Sequence, residues 1–461
     1  MKAIKKNITA CLLLVTLIVS SSCNKLIDVA QPINSLDQDK VFSDEATAMA
    51  ALNGLYIQLM SSGLTFSNSQ ITLTAGFSAD ELTFTAANAI NSEFINNAIS
   101  PANTSVTSLW TSAYLRIYQC NAIIENTRTS KALSADLKNR LIGETEFMRA
   151  YIYFYMVQMF GDVPLVLSTD YTATASISRT PSYNVYQQII ADLKDAMTIL
   201  TSDVSVGKTR PTKWTAEALL SRVYLYQKKW PDALQAANDV INSGKFQLIP
   251  DLTKVFVSGS DEAILQLAPV DGNAYTWEGF YFIPKGAAAP AYPLQDNLIN
   301  SFETGDQRKL NWIGTKTVSS KTYNYSYKYK VGSGTGSATE YYMLLRFAEM
   351  YLIRAEAFAN SDDLQNALKD LDIIRSRAGL ISFSNDGVSR TQSDVLLLIE
   401  NERRHELFCE WGHRWFDLNR TSRTQPVLSG LKPGIKATAV LFPIPSSQIQ
   451  RNGTLVQNSG Y

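Results

Sequence analysis

Histidine is nearly absent from this chain: 461 residues hold only two, His405 and His413. Neither stands near a candidate nucleophile and no Gly-x-Ser-x-Gly elbow occurs, so acyl-transfer machinery is not visible. The stretch Gly332-Ser-Gly-Thr-Gly336 lacks the Lys-Ser/Thr of a phosphate loop and reads as a flexible turn. Cysteine is scarce as well, with four in all. Only Cys120 and Cys409 fall in the body of the chain, which is no disulfide framework, and each reads as a small buried hydrophobe. Net charge is lacking too, with 42 basic against 42 acidic residues and no basic stripe that would suit nucleic acid. After the amino terminus, no apolar run approaches the roughly 20 residues that a membrane helix takes. An enzyme is not expected, although the spacing of a glycosidase carboxylate pair is a fact of three dimensions that a sequence does not carry.

The one sustained apolar run lies at the start. Lys2, Lys5 and Lys6 precede Ile8–Val19, and Ser20, Ser21 and Ser22 lead to Cys23. The run is too short to span a bilayer and suits the core of an export signal. A cysteine directly after small residues suits lipid attachment, with Cys23 as the first mature residue. Ser20 departs from this pattern, standing where a lipobox carries Leu. The expected organisation is a signal peptide over 1–22, a lipidated, extended tether over 23–40 and one domain over 41–461. That domain divides into a helical part at 41–250, an aromatic, loop-rich insert at 251–340 and a second helical part at 341–461.

Most of the body reads as helix. Met49, Leu52, Tyr56 and Leu59 share one face of a first helix, with Ser43 as its N-cap and Asp44 and Glu45 in its first turn. Leu137–Phe160 reads as a long buried helix. Trp214–Ser243 reads as a helical hairpin turning at Lys228–Pro231, with Leu220, Ser221, Tyr224 and Ala233 at tetratricopeptide positions. A second hairpin is expected within Tyr341–Arg377. The fold class is therefore mostly α: tetratricopeptide-like hairpins in one body, with long loop-rich, partly β insertions.

The charge-dense segment Ile399–Arg420 admits two readings. His405, Cys409 and His413 at i, i+4, i+8 would share one face of a continuous helix and suggest a metal. Gly412 interrupts that helix, however, and no His-Glu-x-x-His spacing is present. The other reading is a charged helix docked on the core. In it the acidic stripe Glu402, Glu406 and Glu410 is balanced by Arg403, Arg404 and Arg414, including the i, i+4 pairs Glu400–Arg404 and Glu410–Arg414. The second reading is preferred, and neither metal nor cofactor is expected.

The pattern I-x-x-E-R-R-x-E-L-x-x-E-x-x-R-W-F-D-L-x-R in this segment resembles the signature of the SusD/RagB family of outer-membrane nutrient-binding lipoproteins. Val41–Tyr56 resembles the family's first helix, and Glu144–Val166 is similar to its R-A-x-x-Y-F … G-D-V-P-L-V element. Leu344–Leu380 and the ending Leu441–Tyr461 match in the expected order, with Gly453 and Ser459 where the family tends to have Pro. The resemblance implies a lipid-anchored protein on the outer membrane, facing the cell exterior, that binds oligosaccharide or polysaccharide. It also implies a partner, a TonB-dependent transporter over which the protein sits as a lid. A peptide cargo in the same lid, or a tetratricopeptide-type assembly scaffold, are the alternatives.

The insert between the hairpins has the chemistry a sugar needs, since aromatic faces stack on C–H groups while amides and carboxylates take the hydroxyls. Tyr275, Trp277, Phe280, Tyr281 and Trp312 are the aromatic candidates, with Asn273 and Glu278 beside them. The alternation Tyr323, Tyr325, Tyr327, Tyr329 reads as a strand. A second tract, Ser61–Thr107, is rich in Ser, Thr and Asn, and the resemblance implies ligand contacts from loops in both regions. From this tract Asn68, Asp80 and Glu81 are chosen on chemistry alone.

Overall fold

A computed structural model describes residues 38–461 apart from residue 206. The signal segment, Cys23 and the tether to residue 37 lie outside the described residues. The chain divides into a unit ending at Val41, whose described part is the helical turn Gln38–Val41, and a compact unit Phe42–Tyr461.

The second unit opens with α1 (Glu45–Met60). Its N-cap is Asp44 rather than Ser43: the Asp44 carboxylate accepts the backbone N–H of Ala46 and Thr47, both at 3.0 Å. A carboxylate outbids a hydroxyl here because it also meets the positive end of the helix. Leu52, Tyr56 and Leu59 are buried as expected, joined by Ala48 and Leu55, while Met49 is only half-buried. The Ser61–Thr107 tract proves less irregular than its composition suggests, holding α2 (Gln70–Ser78) and α3 (Ala89–Ile95). Two long helices follow, α4 (Thr104–Thr129) and α5 (Ala135–Phe160). From Gly143 onward α5 is buried on nearly every side, which explains why its aromatics obey no single stripe. Beyond the helical turn Tyr171–Thr174, α6 (Ser182–Ile199) is tied to α5 by a buried two-pronged pair, Arg149 Nε and Nη2 each 2.8 Å from the Asp192 carboxylate.

The first tetratricopeptide-like hairpin is α7 (Lys213–Tyr226) and α8 (Trp230–Asn242), turned at Lys228, whose φ is 56°. The insert adds β1 (Ala263–Leu267), three short helices, α9 (Trp277–Phe282), α10 (Asp296–Ser301) and α11 (Gln307–Trp312), and the hairpin strands β2 (Ile313–Val318) and β3 (Lys321–Ser326). β1 pairs antiparallel with β4 (Tyr342–Arg346), Leu267 opposite Tyr342, so the insert is stitched to the chain that follows it. The second hairpin is α12 (Phe347–Asn360) and α13 (Leu364–Arg377), turned at Asp362 with φ 62°. Helices α14 (Gln392–Leu407) and α15 (His413–Arg420) complete the signature region.

The signature segment is not one helix. Between α14 and α15 the chain reverses at Cys409, Trp411 and Gly412, with φ of 51°, 48° and 72°. Glycine is required at 412, since a Cβ there would stand 2.5 Å from that of Ala75. His405, Cys409 and His413 therefore share no helical face. His405 instead faces the Ser301 hydroxyl at 2.9 Å, and no cluster of three potential ligands occurs among the described residues.

The docked-helix reading holds in kind, but its charges pair with distant partners instead of helical neighbours. Glu402 accepts from Arg308 at 2.6 Å, Glu406 from Arg346 at 2.5 Å and from Arg308 and Arg377, and Glu410 from Arg346 at 2.8 Å and Lys328 at 2.5 Å. Arg414 turns to Asp80 and Glu400, and Arg403 to Asp417. Five of these groups (Arg308, Arg346, Glu402, Glu406 and Lys328) are almost wholly enclosed. Buried charges of this kind survive only when paired and hydrogen-bonded, which is why the segment needs so many arginines from α11, β4 and α13.

Candidate functional site

Helix α9 has two chemically different sides because 277, 280 and 281 recur at i, i+3, i+4. Trp277, Phe280 and Tyr281 point away from the core and are half-buried, whereas Glu278, Gly279 and Phe282 face inward. The Thr276 hydroxyl caps the helix by accepting the Gly279 N–H at 3.1 Å. Trp277 donates its indole N–H to the Met60 carbonyl at 2.8 Å, which clamps α9 to the end of α1. Gly63 makes that approach possible. A Cβ on it would stand 2.8 Å from Trp277 Cδ2 and 2.7 Å from the Tyr281 hydroxyl.

The outward rings form one assembly. Tyr275 stacks on Phe280 with an interplanar angle of 27° and centroids 5.2 Å apart, and Trp277 lies nearly parallel to Tyr281 at 28° and 6.0 Å. The two pairs meet edge to face, Trp277 with Tyr275 at 89° and Phe280 with Tyr281 at 86°. Tyr292, 6.2 Å from Tyr281, extends the face, and the buried Phe77 links it from beneath to Phe84. The backbone N–H groups of Thr83 and Thr85 hold the segment around Phe84 by donating to the carbonyls of Pro293 at 2.9 Å and Ala291 at 3.2 Å. The result is a rigid, half-exposed aromatic face of a kind that suits the C–H faces of sugar rings.

The sequence candidates separate cleanly on exposure. Tyr275, Trp277, Phe280 and Tyr281 come together in the face, and Asn273 is half-buried two residues from Tyr275. Trp312 does not join them and is corrected to a core residue: no part of it is exposed, its N–H donates to the Leu252 carbonyl at 2.8 Å, and Phe256 and Phe408 pack on it. The polar candidates are also buried. Asn68 donates to the carbonyls of Leu59 and Ser62, folding the loop that carries Gly63. Asp80 pairs with Arg414 and Arg404; burial opposes ionisation, yet these guanidiniums hold its carboxyl below its usual range. Burial, then the charge of Asp80, pushes Glu81 up to about 7. Glu278 accepts from the Thr72 hydroxyl at 2.7 Å and the Tyr342 hydroxyl at 3.1 Å, and burial pushes its carboxyl up to about 8. As placed, these four groups support the site from behind and do not face it.

Two parts of the face went unrecognised in the sequence. Gly63 carries no signal beyond a Ser-Ser-Gly turn, and Tyr292 stands ten residues beyond the end of α9. A cavity of about 590 Å³ lies elsewhere, between α7, α12, α14 and α15. Its charged walls are engaged with one another, Arg420 with Glu356 and Arg403 with Asp417.

Two family models match the chain, one described as starch-binding associating with outer membrane over residues 28–225, the other as the SusD family over 242–429. SusD-like protein P2 of Formosa agariphila is 27% identical, covering 99% of this chain and 100% of its own. A SusD superfamily protein from Bacteroides vulgatus has a similar fold, with a TM-score of 0.81 at 21% identity over 91% of this chain and 100% of that one. A laminarin-binding SusD-like protein superposes with a TM-score of 0.76 at 26% identity, again over 91% of this chain and 100% of the other.

Proposed function

Because this chain belongs to the SusD/RagB family, we propose that it binds oligosaccharide or polysaccharide on the aromatic face of α9 and passes it to a TonB-dependent outer-membrane transporter. The observation that carries this reading is the clamped set of rings around Trp277, Tyr281 and Tyr275, which is preorganised and half-exposed in the same molecule. Rings already fixed by each other lose little freedom on binding, so contact with a sugar is not spent on ordering them. A structural neighbour named for laminarin binding supports a glycan as the cargo.

Attachment would come through lipid at Cys23. No helix among the described residues is long and apolar enough to cross a membrane. Acyl chains contribute about 0.8 kcal/mol per buried methylene, so a multiply acylated cysteine holds firmly. A tethered binder keeps captured ligand at high local concentration beside the transporter. The role is one of capture, with no catalytic step assigned to any residue.

Retardation of the purified protein in native gels cast with single polysaccharides tests this. One glycan should slow migration, and substitution of Trp277 or Tyr281 by Ala should restore it. A peptide bound in place of any glycan would change the cargo; no ligand at all would favour a scaffold.

A further inference from the structure

Three lysines stand beside the aromatic face. Four segments border it: the loop 61–69, the segment 83–92 that leads into α3, the stretch 279–295 and the hairpin 313–326. Together they contain no Asp or Glu, and their only charged residues are Lys285, Lys316 and Lys321. Acids stand at their edges: Glu278, which is buried, Glu93, which accepts from the Asn103 amide, and the exposed Asp296, with Asp271 four residues before Tyr275.

The hairpin register places two of the three lysines on one surface. Directly opposed residues share a face, so Lys316 sits with Tyr323, Gly314 with Tyr325, and Val318 with Lys321. One face of the hairpin thus carries Lys316, Lys321, Tyr323 and Tyr325. That face turns toward the loop beside α9, because the Lys316 ammonium donates to the Gly286 carbonyl at 3.1 Å. Next to it, the Lys285 ammonium lies 3.2 Å from the centre of the Phe280 ring, and Lys321 lies 4.9 Å from that of Tyr323. Among the described residues, none of the three lysines is paired with a carboxylate. A neutral glucan gives such lysines nothing to answer, whereas a chain bearing carboxylate or sulfate does.

Resting on the glycan-binding reading above, we propose that the polysaccharide taken by this site is anionic, with Lys285, Lys316 and Lys321 meeting its carboxylate or sulfate groups while the tyrosines and Trp277 meet its ring faces. Uronate and sulfate share the chemistry that the lysines recognise. Exposed ion pairs are individually weak and screened by salt, so the signature is a summed, salt-dependent attraction laid over a salt-insensitive stacking term.

The test uses the full chain in detergent, run in native gels containing polygalacturonate, alginate, dextran sulfate, laminarin or dextran, at low and high salt. Retardation by a carboxylated or a sulfated polymer is expected, weakened by salt, and which of the two acts identifies the anion. The variant K285A/K316A/K321A should bind about tenfold more weakly, as three exposed pairs sum to roughly that factor. K285R/K316R/K321R should retain binding, and K131A/K194A/K369A, which removes the same charge from exposed lysines elsewhere, should change nothing. Equal loss in both alanine variants would reduce the effect to overall charge and overturn the proposal. Retardation by laminarin or dextran alone would also overturn it, while leaving glycan capture intact. No retardation by any polymer would overturn both.

Discussion

Trp277 donates its indole N–H to the carbonyl of Met60, 217 residues earlier, at 2.8 Å. One hydrogen bond thus joins the aromatic insert to the end of the first helix, and the two loop regions become one surface. The glycine that permits this contact is Gly63. Gly63→Ala should push the Trp277 and Tyr281 rings out of register at a cost of about 1–3 kcal/mol, the usual range for overpacking. Thermal melting should register that loss, and native-gel retardation should show weaker glycan binding in the protein that remains folded.

Trp312 and Tyr281 are expected to behave in opposite ways. Trp312→Ala removes a fully buried indole and should destabilise by about 3–5 kcal/mol in urea unfolding. Its effect on glycan affinity, measured where the variant is folded, should be small. Tyr281→Ala should leave the unfolding midpoint nearly in place and weaken binding by about fivefold, the value of one aromatic contact near 1 kcal/mol.

Arg222 and Glu349 join the two tetratricopeptide-like hairpins through two bonds, of 2.9 and 2.6 Å, with each side chain 1% exposed. Arg222→Met leaves a buried carboxylate without its partner and should cost about 3–5 kcal/mol. The double variant Arg222→Met/Glu349→Leu should recover much of that loss, because neither charge is then stranded. A double-mutant cycle by urea denaturation separates the two terms.

Glu278 links stability to pH. Burial raises its folded-state value from the usual 4.5 to about 8, so the folded protein holds a proton that the unfolded chain releases above about 4.5. Stability therefore falls as pH rises through this window, by at most about 1.4 kcal/mol per unit, and levels off above it. Glu81, raised to about 7, adds a slope of the same sign. His413 acts at the other end: burial and the nearby arginines push it well below 6.5, so the neutral form is the folded one and stability falls as pH drops beneath 6.5. Glu278→Gln should remove this residue's share of the fall between about pH 4.5 and 8 and leave the curve below about 4.5 unchanged.

The sequence motifs led to the fold because they encode buried charge. Arg149, Arg346, Glu349, Arg403, Glu406 and Asp417 stand in the quoted motifs, and all are enclosed in ion pairs between different elements. Their pairing was not legible, since Glu406 meets Arg346 and Arg377 from other segments while helical spacing offers only near neighbours. The aromatic face was half legible. The i, i+3, i+4 spacing of Trp277, Phe280 and Tyr281 marks one side of a helix, but nothing in the residue types distinguishes Trp277 from Trp312. Exposure separates them, and exposure depends on Gly63 and Leu252, which the sequence places far from both. For the same reason Asn68, Asp80 and Glu81 look like loop polar groups and turn out to be internal fasteners.

The most direct test of the central claim is the affinity of the double variant Tyr275→Ala/Tyr281→Ala for the glycan that retards the unaltered protein, measured by titration calorimetry alongside a thermal melt. Both rings are half-exposed and belong to the face without anchoring the core. A loss of binding of at least about tenfold, with the melting temperature moved by no more than a few degrees, is the expected result. Unchanged affinity in a folded double variant would contradict the assignment of this face as the binding site.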